Sequence, residues 1–265
     1  MEDIYPFTWK ENSKEDQERR AKSWTTHRSF VVETVISHPM QLNMPKAFAE
    51  KNIHKRIWNM QPRPDDVWIV TYPKSGTTMG QELIWQMSRG CHVGSEESKT
   101  QLFTRTPFLE FGGLKKECGC DECVKIPKRP SYLEDPIAYT ESLESPRIIK
   151  SDLPVSMLPP NLLETSKVVV IARNVKDVCV SFYHHEKLMA SHGFTGSFED
   201  FCTFFMEGNP GGYGDYWIHL KVRYVVDNLF IYVTRYTNVV ILYSSGITAF
   251  AIFLLSKGFL KVEGT

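Results

Sequence analysis

The sequence predicts an α/β protein with a P-loop-like, three-layer fold, a central parallel sheet flanked by helices. Three observations predict it. The apolar run Trp68–Thr71 ends in the turn Tyr72-Pro73-Lys74-Ser75-Gly76 and passes directly into a helix-like pattern. A second run, Val168-Val169-Val170-Ile171-Ala172, is the unbroken β-branched stretch expected of a strand covered on both faces. Strands then alternate with helical patterns, as crossover connections require.

Taken in order, residues 11–30 are charged, with Lys14 to Lys22 helical and weakly amphipathic, and they are expected on the surface without chemistry. Pro62-Arg63-Pro64-Asp65-Asp66 is a turn, and the first strand begins at Val67. A helix is expected from Met79 to Arg89. Residues 90–145 carry scattered Pro and Gly and are expected as long loops with short helices, a place for the walls of a substrate pocket. Arg147–Lys150 and Val168–Ala172 are strands and Lys176–Leu188 a helix. This divides the chain into an N-terminal segment (1–60) that packs on the domain, a core (61–221) and a divergent hydrophobic C-terminus (222–265).

Composition narrows the classes of function. The 265 residues, 42% of them apolar, suit one large domain. Thirty-one basic residues offset thirty-one acidic ones, so no phosphate-backbone binder is indicated and nucleic acid is not an expected partner. The N-terminal residues lack an apolar core of signal-peptide length, which points to a cytoplasmic location. Six cysteines are too few for a disulfide scaffold. Cys118, Cys120 and Cys123 form a CxCxxC cluster, read here as a polar loop with close cysteines, and no metal is expected.

The turn after the first strand has the makings of an anion cradle. A helix N-terminus offers unpaired N–H groups and partial positive charge. Lys74 adds a full cation, Ser75, Thr77 and Thr78 add hydroxyls, and Gly76 lets the backbone approach a ligand. Lys74 precedes Gly76, the reverse of the Walker A order, which argues against a nucleoside triphosphate kinase. At the end of the strand 168–172, Arg173-Asn174-Val175-Lys176-Asp177 places a guanidinium where it can reach the same anion as Ser181. Lys74, Lys150 and Arg173 all fall at carboxyl ends of strands, where ligands bind in such sheets.

These motifs resemble those of the cytosolic sulfotransferases, with Tyr72–Thr78 similar to the 5'-phosphosulfate loop and Arg173–Ser181, followed by Phe182-Tyr183-His184, similar to the 3'-phosphate segment. Arg63–Asp66, Leu158–Leu163 and Phe198–Phe201 extend the likeness, which runs from about Arg63 to Lys221 and looks closest to insect-type members. The resemblance implies 3'-phosphoadenosine 5'-phosphosulfate (PAPS) as co-substrate and a small, lipophilic hydroxyl- or amine-bearing acceptor. It further implies Lys74, Ser75, Gly76, Thr77, Thr78, Arg173 and Ser181 as nucleotide-binding residues. Lys74, Lys150 and the residue at position 152 become the catalytic set.

Three departures stand out. The segment Lys150-Ser151-Asp152-Leu153-Pro154 carries aspartate where the family has its histidine base, and a carboxylate (reference pKa about 3.9) is a far weaker base than imidazole (about 6.5). Impaired turnover, or a nucleotide or small-molecule binder without catalysis, is therefore the alternative reading. Met79 stands where the family has a tryptophan that stacks on adenine, so weaker nucleotide affinity is expected. From Val222 onward the pattern fades, and the segment that closes over the 3'-phosphate is missing. Tyr236–Ser256 carries no charge and has the length of a membrane span, but its hydroxyls and Gly246 interrupt it; a core strand followed by a hydrophobic helix is preferred over an anchor.

Overall fold

The computed structural model describes residues 7–24, 32–35, 42, 44–114, 130–189, 192–220 and 239–243. The cysteine cluster at 118–123 lies outside them, as does all of the candidate anchor except 239–243.

The strands are β1 (Thr8–Glu11), β2 (Val32–Val35), β3 (Val67–Thr71), β4 (Ile148–Ser151), β5 (Lys167–Ala172) and β6 (Val239–Tyr243). β1 and β2 form an antiparallel pair, while the other four make a parallel sheet in the order β4-β3-β5-β6. The helices are α1 (Lys14–Ala21), α2 (Lys46–Glu50), α3 (Ile53–Trp58), α4 (Thr77–Ser88), α5 (Leu102–Arg105), α6 (Ser131–Glu134), α7 (Pro136–Ser142), α8 (Leu162–Thr165), α9 (Val175–Leu188), α10 (Phe198–Met206) and α11 (Tyr216–Leu220). The expected loops with short helices at 90–145 are what the described part of that stretch contains.

All five residues of β3 are buried, and side chains alternate between two apolar layers. Trp68, Val70, Val168 and Val170 enter a large core with Phe48, Ile57 and Phe201. Val67, Ile69, Val169 and Ile171 face Ile84, Trp85 and Met87 of α4. That second layer depends on Gly80, where an added Cβ would lie 2.2 Å from Ile171 Cδ1. Helix and sheet can approach so closely only without a side chain there.

Parallel register brings the strand ends level: Val70 pairs with Ser151 and Thr71 with Ile171. Whatever follows each strand therefore converges on one rim. Most of α1 is exposed, as expected, and Arg20 and Trp24 are buried exceptions in the described part of the charged stretch. Arg20 and Trp24 are 6% and 4% exposed. Arg20 donates to Asn209 Oδ1, and Trp24 packs between Phe194 and Phe204, 4.7 and 4.9 Å between ring centroids. A long stem and an indole bury readily even in a hydrophilic stretch, so the weak periodicity concealed a docking helix.

Candidate functional site

The loop after β3 is held in an unusual backbone. Lys74 adopts φ +69° and Gly76 φ +104°, the left-handed region that costs a non-glycine residue about 1 kcal/mol or more. Gly76 is the N-cap of α4 and has no side chain to cap the helix, nor does the first turn contain an acid. The other described helices of eight residues or more close their own ends: Ser13 caps α1, Asn174 caps α9, and Ser197 with Asp200 forms a capping box on α10. The open end of α4 is thus an exception, suited to an anion.

Two further details fit an anionic ligand. Ser75 is fully buried and its Oγ has no hydrogen-bond partner among the described residues. Around Gly76, no atom lies within 4 Å of the position a Cβ would take, so the loop opens onto space. Thr77 departs from its expected role as a hydroxyl donor to the ligand. Its Oγ1 lies 2.5 Å from Thr71 Oγ1, and Thr71 donates to Asp152 Oδ1 at 2.9 Å. The Thr71 proton is engaged by the carboxylate, so Thr77 donates its own to Thr71, and only the Thr77 backbone N–H is left for a ligand.

Arg173 reaches across to this loop, its Nη1 donating to Lys74 O at 3.3 Å, while Tyr216 Oη donates to Arg173 O. Lys74, Gly76, Thr77, Thr78, Lys150, Asp152, Arg173 and Ser181 all line one cavity of about 590 Å³. Ser75 lies beneath it, and Met79, 45% exposed, is on its rim. Burial lowers the Lys74 pKa, and the neighbouring charges of Lys150 and Arg173 lower it further against the pull of Asp152. Lys74, Lys150 and Arg173 thus share the cavity with the carboxylates of Asp152 and Glu186, and Arg173 Nε also faces Asp177 Oδ2 at 3.9 Å.

The opposite wall is aromatic. Phe103, Phe108, Phe111 and Leu114 come from the loop-rich stretch, and Lys150 Nζ sits 3.5 Å from the Phe108 ring centroid. Asp152 is 6% exposed, with Oδ1 bound by Thr71 and Oδ2 3.1 Å from Lys150 Nζ. Both carboxylate oxygens are therefore engaged within the protein.

Two residues escaped the sequence reading. Glu110 is completely buried; its Oε1 accepts from Ser151 Oγ and from the backbone N–H groups of Asp152 and Leu153, each of these at 3.2 Å. Burial, and then the nearby Asp152 charge, push its pKa up to about 8. A lone carboxylate inside the apolar run Phe108-Leu109-Glu110-Phe111 was the available signal. His219 donates from Nε2 to Asp152 O at 2.8 Å, and burial lowers its pKa to about 4. Of the adjacent histidines, His184 is exposed and stacks edge-on against Tyr183, whereas His185 lines the cavity.

Among the described residues, no group of three His, Cys, Asp or Glu side chains is placed to hold a metal ion, and no helix is long and apolar enough to cross a membrane.

Known proteins share both the sequence and the fold. Sulfotransferase 1A1 of Rattus norvegicus is 37% identical over 166 residues, 62% of this chain and 50% of that protein. Sulfotransferase 4A1 of Homo sapiens is 34% identical over 168 residues, 63% of this chain and 51% of its own. The chain spans about half the length of the curated relatives it matches. Retinol dehydratase, solved with retinol and PAP, superposes with a TM-score of 0.77 over 97% of this chain and 76% of its own, at 23% identity, a likeness of fold. A mouse sulfotransferase complexed with PAP gives 0.53 over 83% and 67%, at 20% identity. The family model described as a sulfotransferase domain matches residues 64–236, well over half of the sequence, and the chain belongs to the sulfotransferase family.

Proposed function

We infer that this protein transfers a sulfuryl group from PAPS to a hydroxyl or amine of a small lipophilic acceptor, in the cytoplasm. The observation that carries the reading is the meeting of Lys74 and Arg173 across one cavity, two distant segments joined by a hydrogen bond beside an uncapped helix. The α4 N-terminus, Ser75 and Lys74 suit the 5'-phosphosulfate, Arg173 and Ser181 the 3'-phosphate, and the phenylalanine wall an apolar acceptor. Retinol and androsterone, each bound in a solved retinol dehydratase, are alcohols of the size and polarity such a wall accommodates.

When the acceptor oxygen attacks sulfur, negative charge grows on the departing phosphate oxygen. Lys74 and Lys150, fixed in a partly desolvated site, stabilise that charge more in the transition state than in the ground state. Asp152 holds Lys150 in place through their ion pair. The same pair favours a second reading, nucleotide binding without transfer, because the aspartate withdraws charge from the cation that should face the sulfate. A labelled-sulfate transfer assay over phenols, sterols and retinoids, run beside calorimetric titration with PAP, decides between them. Binding with transfer is expected; binding without transfer selects the second reading, and no binding removes both. Asp152→His frees Lys150 and supplies an imidazole, and is expected to raise the rate about tenfold; an unchanged rate in the folded variant counts against the role assigned to the pair.

A further inference from the structure

With both oxygens of Asp152 held by Thr71 and Lys150, the carboxylate is a poor destination for the acceptor proton. Yet a hydroxyl that forms an O–S bond must release that proton. Other side chains in the cavity wall can take one, and most are engaged. Glu186, 3% exposed, accepts from Trp24 Nε1 at 3.3 Å on Oε2 and faces His192 Nδ1 at 2.6 Å with Oε1. His192 is tied by the same contact.

His185 is different. It lines the cavity with Lys74, Lys150 and Asp152, and its ring forms no hydrogen bond with any described residue; its near neighbour is His192, edge-on at 5.1 Å between centroids. It stands four residues after Ser181 on α9, so the two share a helix face. Ser181 marks the nucleotide end of that face, and His185 lies one turn further along it.

We propose that His185 is the catalytic base of this chain, taking the acceptor proton in place of the histidine missing at position 152. This rests on the sulfuryl-transfer reading. In the step, the acceptor oxygen forms its bond to sulfur while the S–O bond to the nucleotide phosphate breaks with its electron pair. The hydroxyl proton passes to the imidazole and then to water. The surroundings of the ring keep it neutral in the free protein. Burial first, then Lys74 and His192, and finally Lys150 lower its pKa to about 4 against the opposing pull of Glu186. The ring is thus neutral, with a free lone pair, at physiological pH. An anionic donor seated at Lys74 and Lys150 offsets their repulsion and raises the basicity of His185, so the base strengthens when the donor is bound.

The test compares His185→Gln with His184→Gln, using an aliphatic alcohol and 4-nitrophenol as acceptors and PAP titration as the check on folding and nucleotide binding. His185→Gln is expected to slow transfer to the alcohol about a hundredfold, and to 4-nitrophenol, much of which is already ionised at neutral pH, only about threefold. PAP affinity stays within about twofold, and His184→Gln behaves as wild type. Unchanged turnover of the alcohol overturns the assignment. So does an equal loss with both acceptors, which would mark His185 as a wall of the pocket only, and so does a wild-type protein that binds PAP but transfers to neither acceptor. A wild-type protein that fails to bind PAP overturns the nucleotide reading beneath it instead.

Discussion

The two ends of the parallel sheet treat buried charge in opposite ways. At the amino ends of β3 and β4, Arg147 and Asp66 are 2% and 0% exposed and joined by two bonds, Nε to Oδ1 at 2.8 Å and Nη2 to Oδ2 at 2.5 Å. Asp66 Oδ2 also accepts from Arg63 N, and Arg147 Nη2 donates to Gln61 O. At the carboxyl ends, by contrast, Ser75 Oγ, Glu110 Oε2 and His219 Nδ1 are buried without partners among the described residues, and Lys74 sits in a left-handed conformation. One end pairs its buried charges and holds the sheet together. The other leaves capacity unmet and backbone strained, the pattern expected where a ligand completes the structure.

The largest test of that contrast is Lys74→Gly. Removing the cation is expected to cut sulfuryl transfer about a thousandfold, while glycine accepts φ +69° and relieves about 1 kcal/mol of strain. Activity falls as Tm rises. A variant that loses both would mean the loop is structural and would erase the distinction between the two ends. Next comes Asp66→Ala, which strands a buried guanidinium and is expected to cost about 3 kcal/mol in chemical denaturation, with PAP affinity of the folded protein unchanged. Loss of PAP affinity at full stability would contradict the division of labour.

That division was partly legible in the sequence. Strand, turn and helix are local patterns, so the run from Val67 through Thr78, and that from Lys167 through Ser181, disclosed both segments that line the cavity and their place at strand ends. Met79 was recognisable as a departure for the same reason. What local pattern does not encode is pairing across long separations. Nothing near Glu110 announces that it will hold the backbone of Asp152, 42 residues away. Trp24 gives no sign of its bond to Glu186, 162 positions later. Asp152 was visible as a substitution, but its ion pair with Lys150 and its bond to Thr71 emerge only once β3 and β4 lie in register.

Glu110 sharpens the comparison through pH. Its pKa rises from 4.5 to about 8 on folding, so between those values the unfolded chain has released a proton that the folded chain retains. Stability must then fall as pH rises through this window, and it levels off above pH 8. Glutamine keeps an oxygen for the Ser151, Asp152 and Leu153 donors but cannot titrate. Relative to wild type, Glu110→Gln should therefore gain about 2 kcal/mol between pH 5 and pH 7, read from Tm against pH. His219, with its pKa lowered to about 4, acts with the opposite sign: its contribution is lost as pH falls from about 6.5 to 4. A flat difference between Glu110→Gln and wild type would show that Glu110 does not titrate on folding in this window and would remove it from the contrast between the two ends.

The smallest expected effect belongs to Ser75→Ala. In the free protein its hydroxyl is desolvated and unpaired, so replacing it by a methyl group removes a penalty of about 1 kcal/mol and stabilises the fold. When the nucleotide binds, the wild-type hydroxyl gains an acceptor and the alanine does not, so PAP affinity is expected to drop about fivefold to tenfold. Both changes come from a single oxygen and must appear together. Paired thermal melts with and without saturating PAP measure them at once: the alanine variant melts higher alone and shifts less with ligand. If it instead melts lower alone, the hydroxyl is already satisfied within the fold, and the carboxyl end of the sheet is as complete as the end that Arg147 and Asp66 close.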